Sequence, residues 1–184
     1  MLAAIFVLRA PRPAPGQLWI DVAGQGEDSG VLLRTHSHLV VWGTGEVYGS
    51  AGRRFARQLL PLLRSAGYPR IDLWLPGALT RDTQAALRLG AAQLPVNAAM
   101  LPPASAPPPE MHACTDSSWQ WDGIDFELRS RRDGRYCVLA VSSSGHSVVF
   151  GGAGGAGLAT STEGATRYVL DAAGLTLRSG ILRL

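Results

Sequence analysis

The sequence predicts an α/β fold that is rich in strands and contains about two helices. Many short runs alternate apolar and polar residues, which is the pattern of half-buried strands. Two longer stretches repeat apolar residues every three or four positions, as amphipathic helices do. The chain has 184 residues, 46% of them hydrophobic, so it can bury one core and we expect one domain.

The first elements are predicted to be strands. Residues 18–22 alternate like a strand and lead into a glycine-rich turn. Residues 31–34 and 39–42 are two further strands, and the polar tip at residues 35–38 joins them into a hairpin.

A helix follows this hairpin. Ser50 is a candidate N-cap and Gly67 ends the helix, while Pro61 lies inside the pattern and should kink it. The predicted apolar face comprises Phe55, Leu59, Leu62, Leu63 and Ala66.

The next stretch, residues 70–83, predicts a strand, a tight turn and the start of a second helix. The alternation over residues 71–75 breaks at Pro76, and Thr80 or Asp82 can cap a helix running through residues 83–89. Many α/β enzymes place their chemistry on this arrangement, because ligands gather at the carboxyl ends of strands. Here the residues that follow the turn do not form a catalytic set.

The second half of the chain predicts successive hairpins after a proline-rich loop at residues 101–110. Asp122 and Gly123 turn the first, residues 119–128. Strands at 136–142 and 147–150 follow, and the last hairpin joins strands 166–170 and 175–177.

The order of these motifs resembles the metallo-β-lactamase-fold domain at the C-terminus of ComEC, the DNA-internalisation channel of naturally competent bacteria. The first half contributes WIDVAGQGEDSGVLLRT, LVVWGTG and LLPLLRSAGYPRIDLW, and the second half contributes WQWDGIDFEL, YCVLAV and SVVFGG. The resemblance covers residues 17–153. It implies an αββα sandwich that is truncated in its second half, and it makes residues 1–16 the end of a membrane segment with its proline-rich linker and residues 17–184 one domain.

The metal ligands of the family are replaced in this sequence. The family's HxHxDH motif falls on residues 78–83, and the aspartates of its DTG and TGD motifs fall on Gly43 and Ala153. We call these the metal-motif positions, a vestigial site made of Gly43, Ala78, Thr80, Asp82, Thr83 and Ala153. The family would use Zn or Mn, but a single surviving carboxylate cannot hold a catalytic metal, so no cofactor, metal site or catalytic residue is expected.

A live hydrolase is the alternative, and it would need an unforeseen ligand set drawn from His36, His38, Asp21, Asp82 and Asp116. We expect His36 and His38 to form a solvated turn, and His112 and His146 to be loop residues. The serines at 142–144 fit a hairpin turn rather than a nucleophile site, since no GxSxG elbow surrounds them.

Two cysteines, Cys114 and Cys137, leave two alternatives open. They can form a disulfide in an oxidising compartment or remain a pair of buried thiols.

All 17 basic residues are arginines, and the formal net charge is only +3. One group, Arg53, Arg54, Arg57 and Arg64, lies on the first helix. A second group surrounds a turn and is the better candidate for DNA-backbone contact, since arginine suits phosphate recognition: Arg129, Arg131, Arg132 and Arg135.

The resemblance implies a non-catalytic accessory domain of a ComEC-like channel for DNA uptake in natural competence. It would lie at the cell envelope, on the extracytoplasmic, periplasmic side of the inner membrane. The expected partners are DNA, the membrane domain of the channel, and a second copy pairing through an open sheet edge.

Overall fold

A computed structural model describes residues 10–23, 30–43, 55–77, 80–109, 111–151 and 165–182. In the first half the elements are β1 (Leu18–Ala23), β2 (Gly30–Arg34), β3 (Leu39–Trp42), a π-helical turn (Phe55–Leu59), α1 (Leu60–Ala66), β4 (Leu73–Leu75) and α2 (Arg81–Ala91). They are followed by β5 (Met100–Leu101), a 3-10 turn (Pro103–Ser105), β6 (His112–Ala113), β7 (Ser117–Trp121), β8 (Ile124–Ser130), β9 (Cys137–Ser143), β10 (His146–Gly151), β11 (Ala165–Asp171) and β12 (Gly174–Leu182).

The strands form two main sheets and a small ribbon. The larger sheet has six strands in the order β12-β11-β1-β2-β3-β4. Its neighbours are antiparallel except β3 and β4, which are parallel. The second sheet is an antiparallel meander in the order β10-β9-β8-β7, and β5 pairs with β6 in parallel.

The main core lies between the two sheets. Strand alternation decides which residues enter it, because successive side chains of a strand point to opposite faces. Thus Leu18 and Ile20 of β1 are fully buried there, together with Phe126 of β8 and Phe150 of β10.

A second core lies between the larger sheet and the helices. Leu32 and Val41 on the outer face of the sheet pack with Leu59 and Leu63 from the first helical segment and Ala86 from α2. Both helices therefore cover the same sheet. Within the described ranges, no helix covers the outer face of the four-stranded sheet, and the layers run α, β, β.

The ends of the helices follow the predicted signals. Gly67 takes a left-handed conformation with φ of 74° just after α1, and Thr80 is the N-cap of α2. Pro61 lies in the first turn of α1, where the π-helical turn passes into α-helix. The predicted cap Ser50 lies outside the described residues, as do Arg53 and Arg54.

The predicted hairpins are confirmed, while the predictions for His112, His146 and the proline-rich loop change. Asp122 and Gly123 both have positive φ, 51° and 80°, as a two-residue hairpin turn with right-handed strand twist requires. His112 and His146 were expected in loops but lie in β6 and β10, because backbone pairing extends further than the side-chain pattern indicates. The proline-rich loop contains a short 3-10 turn.

Strand β12 forms one edge of the larger sheet, and two of its leucines are exposed: Leu175 at 42% and Leu177 at 58%. Pairing of a second copy along an open edge stays a prediction. No helix in the described part of the chain is long and apolar enough to cross a membrane. The predicted end of a membrane segment with its linker spans residues 1–16, of which residues 1–9 lie outside the described residues.

Candidate functional site

The metal-motif positions that the structure describes lie beyond the carboxyl ends of β3 and β4. Gly43 follows β3, and its N–H donates to the carbonyl of Leu75 at the end of β4, at 2.8 Å. The carbonyl of Gly43 accepts a hydrogen bond from Nε1 of the buried Trp74 at 3.2 Å. Backbone and indole contacts thus join the two strand ends where the family places an aspartate.

The threonines that follow are bonded to each other. The hydroxyl oxygen of Thr80 accepts from the backbone N–H of Thr83 at 3.1 Å, and the two hydroxyl oxygens lie 2.8 Å apart. Thr83 is fully buried. Asp82 is in the first turn of α2, but its side chain is not among the described parts of the structure. Ala78 and Ala153 lie outside the described residues.

The metal-motif side chains that the structure describes do not fit a catalytic metal. Zinc and manganese are held by imidazole, thiolate or carboxylate groups, and at least three of them must converge. Gly43 has no side chain, and Thr80 and Thr83 offer neutral hydroxyls engaged with one another. No group of three His, Cys, Asp or Glu side chains comes together among the residues that the structure describes.

Among the described residues, no three members of the alternative hydrolase's ligand set come together. Asp21 is 2% exposed and forms ion pairs with Arg34, at 2.9 Å, and Arg167, at 2.5 Å. The carboxylate of Asp116 accepts from the backbone N–H of Ser130 at 2.9 Å. The histidines at the β2–β3 tip have other contacts: His36 with the carbonyl of Pro13 and His38 with Asp122.

Asp21 belongs to a buried charge cluster on the outer face of the larger sheet. The guanidinium groups of Arg34 and Arg167 lie over the ring of Trp19, at 5.0 and 4.4 Å from its centroid. Burial lowers the pKa of Arg34, and the neighbouring Asp21 opposes that shift. Sequence reasoning missed this cluster, although Trp19 and Asp21 alternate on β1, which indicates that they share a face.

The second arginine group is half neutralised. Arg129 donates two hydrogen bonds to Glu127, and Arg131 lies 3.7 Å from Asp133 and over the ring of Tyr136. Arg132 and Arg135 are exposed and form no ion pair with any described residue. The group borders a groove of about 580 Å³, lined by Asp116, Arg129, Ser130, Arg131, Arg132, Asp133 and Val138.

At the opposite end of the strands, one carboxylate joins the two sheets. Oδ2 of Asp122, in the β7–β8 turn, accepts from Thr35 Oγ1 at 2.6 Å and from the backbone N–H of Ser37 at 2.7 Å. Nδ1 of His38 lies 3.3 Å from the same oxygen, and the His38 ring stacks on Trp121 with centroids 4.4 Å apart. We call this arrangement the Asp122 junction.

The β2–β3 tip was expected to be a solvated turn, and the Asp122 junction shows that only part of it is. His36 is exposed, as a solvated turn predicts, but His38 is partly buried in a ring stack beside a carboxylate. Burial alone would raise the pKa of Asp122, but hydrogen bonds from Thr35, Ser37 and His38 outweigh it and lower the pKa below its usual value. In the sequence, the junction is marked only by a polar tip and by an Asp-Gly turn; Ser37 and Asp122 are 85 positions apart, so nothing local indicates their contact.

The two cysteines form a disulfide. Cys114 and Cys137 are 23 positions apart, with Cα atoms separated by 6.2 Å. Cys137 begins β9, whereas Cys114 follows β6 rather than lying on a neighbouring strand of the same sheet. The bridge therefore ties the chain after the β5–β6 ribbon to the four-stranded sheet.

Comparisons with known proteins give two similarities. No protein-family model matches the chain. It is 27% identical over 164 residues to the competence protein ComA of Neisseria gonorrhoeae, an alignment covering 83% of this chain. The chain spans only 22% of the length of that relative.

Among solved structures, the chain is similar to a metallo-β-lactamase with a HARLDQ motif from Cronobacter sakazakii. The TM-score is 0.50 with 16% sequence identity, over 82% of this chain and 66% of the other. At that identity the likeness concerns the fold alone, and it agrees with the α/β architecture described above. Taken with the sequence similarity to ComA, it supports the resemblance to a ComEC-like domain with a metallo-β-lactamase fold.

Proposed function

We propose that this domain is a non-catalytic accessory part of a ComEC-like system for DNA uptake in natural competence. The observation that carries the proposal is the state of the described metal-motif positions. Gly43 provides no ligand, and the hydroxyls of Thr80 and Thr83 are bonded to each other. The similarity to a competence protein supplies the biological setting.

The proposed location is the extracytoplasmic side of the cell envelope. The disulfide between Cys114 and Cys137 supports it, because disulfides form and persist in oxidising compartments such as the periplasm and are rare in the cytosol. This support is independent of the resemblance.

Metal content tests the absence of catalysis. The full chain is dialysed without chelator, analysed for Zn and Mn, and then incubated with single- and double-stranded DNA and added Mn²⁺ or Zn²⁺. We expect both metals well below one ion per chain, with no cleavage. An Asp82→Ala variant is the matched control, since it removes the only carboxylate left in the motif. A stoichiometric ion with cleavage that Asp82→Ala abolishes would establish the alternative, an active metal-dependent hydrolase.

We further propose that Arg132 and Arg135 contact the DNA backbone, because they are the two arginines of the group without an ion-pair partner among the described residues. Binding to a labelled oligonucleotide is measured over a range of salt concentrations. Arg132→Ala with Arg135→Ala should weaken binding for any sequence and reduce the salt slope by about 1–2. Arg57→Ala with Arg64→Ala, on the first helical segment, is the matched control. If both double variants bind the oligonucleotide with the affinity and salt slope of the parent chain, the proposed contact with the DNA backbone is wrong.

A further inference from the structure

The segment before β1, residues 10–17, is bound to the end of the sandwich that carries the Asp122 junction. Gly16 is held from two sides. Its N–H donates to the backbone carbonyl of Asp122 at 2.7 Å, and its carbonyl accepts from Oγ of Ser143 at 2.8 Å. The four-stranded sheet therefore holds this residue through both β8's turn and the end of β9.

Residues further from β1 are bound by the six-stranded half. Nη2 of Arg12 donates to the carbonyl of Gly67 at 2.8 Å, and its guanidinium lies 4.8 Å from the centroid of the Tyr68 ring. The carbonyl of Pro13, which is buried, lies 3.0 Å from Nδ1 of His36. Since a carbonyl can only accept, that ring nitrogen carries the proton.

The composition of the segment suits this binding. Proline has a fixed φ and no N–H, so a proline-rich segment loses little conformational entropy when it docks and presents mainly carbonyl acceptors. The domain donates to two of these carbonyls, from His36 and Ser143, while Arg12 and Gly16 of the segment donate to carbonyls of the domain. The segment also closes its own turn, since the N–H of Gln17 donates to the carbonyl of Ala14 at 2.9 Å, and Nε2 of Gln17 donates to Asp171 at 3.2 Å.

We propose that residues 10–17 are a docked tether that fixes the direction in which the domain is held by the chain before Ala10. The tether crosses the end where β3 begins, at Leu39, whereas the metal-motif positions lie beyond the opposite end of β3, at Gly43. The groove beside Arg132 also lies at that opposite end, because β8 runs from the Asp122 turn towards Ser130. The tether thus holds Ala10, where the preceding chain joins, at the end of the sandwich away from both features. This proposal stands whether or not the domain takes part in DNA uptake.

Amide hydrogen exchange on the full chain tests the docking. In the parent chain the Gly16 amide should exchange at least tenfold more slowly than in an unstructured peptide. Arg12→Ala combined with Ser143→Ala removes two docking contacts and should restore most of that exchange rate, while the β1 amides of Ile20 and Val22 stay protected. Ser142→Ala, one residue from Ser143, is the matched control and should change nothing. An unprotected Gly16 amide in the parent chain, or one that the double variant leaves protected, overturns the proposal.

A spin label tests the direction. Pro11 is exposed, and because both native cysteines are bridged, a Pro11→Cys variant offers one free thiol for a nitroxide. Amide signals of Ser37 and Gly123 should broaden more than those of Gly43 and Thr83. Equal broadening at the two ends would show that the segment is not docked as described, even if the double variant fails to fold.

Discussion

The two ends of the sandwich differ in what holds them together. At the end beyond β3 and β4, the described contacts are a hydrogen bond from the buried indole of Trp74, backbone hydrogen bonds between the strand ends, and a pair of bonded threonine hydroxyls. At the other end, the Asp122 carboxylate accepts from three groups and the proline-rich tether lies across the joint. The described contacts at the metal-motif end are therefore between neutral groups, whereas those at the other end centre on a carboxylate.

The largest effect is expected from Trp74→Ala at the metal-motif end. Trp74 is fully buried, and truncating a buried aromatic residue costs about 3–5 kcal/mol in free energy of unfolding through lost burial and a cavity. Urea denaturation at neutral pH measures the loss. Leu89→Ala on α2 is the control, because Leu89 is 40% exposed and should cost well under half as much. Equal losses for the two variants contradict this account.

Loss of the disulfide should have the next largest effect. Replacing both Cys114 and Cys137 by serine frees the 23-position loop in the unfolded chain and should lower the free energy of unfolding by about 3 kcal/mol. Parent protein treated with reductant should unfold at the same urea concentration as the variant. If reductant leaves the midpoint unchanged, the bridge is not a stabilising one.

At the tether end, Asp122→Ala should cost about 1–3 kcal/mol, because it leaves the hydroxyl of Thr35 and the N–H of Ser37 without their acceptor. Asp125→Ala is a matched control on the next strand, where the carboxylate is exposed and bonded only to Gln120 among the described residues. A similar loss in free energy of unfolding for the two substitutions would contradict a stabilising role for the Asp122 hydrogen bonds.

The Asp122 junction should also make stability sensitive to acid. The folded protein lowers the pKa of Asp122 from the ordinary value of 3.8, so the unfolded chain binds the proton more tightly. The stabilisation is complete above that ordinary value and is lost as pH falls through the lower folded pKa. Thermal unfolding of the parent chain below about pH 4 should therefore fall more steeply than that of Asp122→Asn. Parallel curves for the two proteins count against the junction.

The smallest effect is expected for Arg129→Ala. Its pair with Glu127 is on the surface, where screening by solvent leaves little net stabilisation. The urea midpoint should stay within experimental error of the parent chain, and a clear loss would mean that the arginine group is structural.

Local patterns in the sequence predicted most of the strands, the end of α1 and the start of α2. The alternation of Ile124, Phe126 and Leu128 places β8 on the core, and Gly67 ends α1, because both depend on residues close in sequence. The same patterns do not specify partners. The bonds from the β2–β3 tip to Asp122 and the charge cluster around Asp21 join residues more than ten positions apart, and periodicity shows only which face a residue occupies. The identity of the metal-motif positions came from the resemblance, since no spacing in this chain marks them.

In the described part of the chain no helix covers the outer face of the four-stranded sheet, and this has a practical consequence. Residues such as Ser118, Gln120, Asp125 and Glu127 are neither enclosed by a helix layer nor part of the tether contacts. A fluorophore or an affinity handle attached there would sit on a rigid strand, clear of the Asp122 junction and of the strand ends that carry the metal-motif positions. This face is therefore the place from which either end can be observed or immobilised without altering what is being observed.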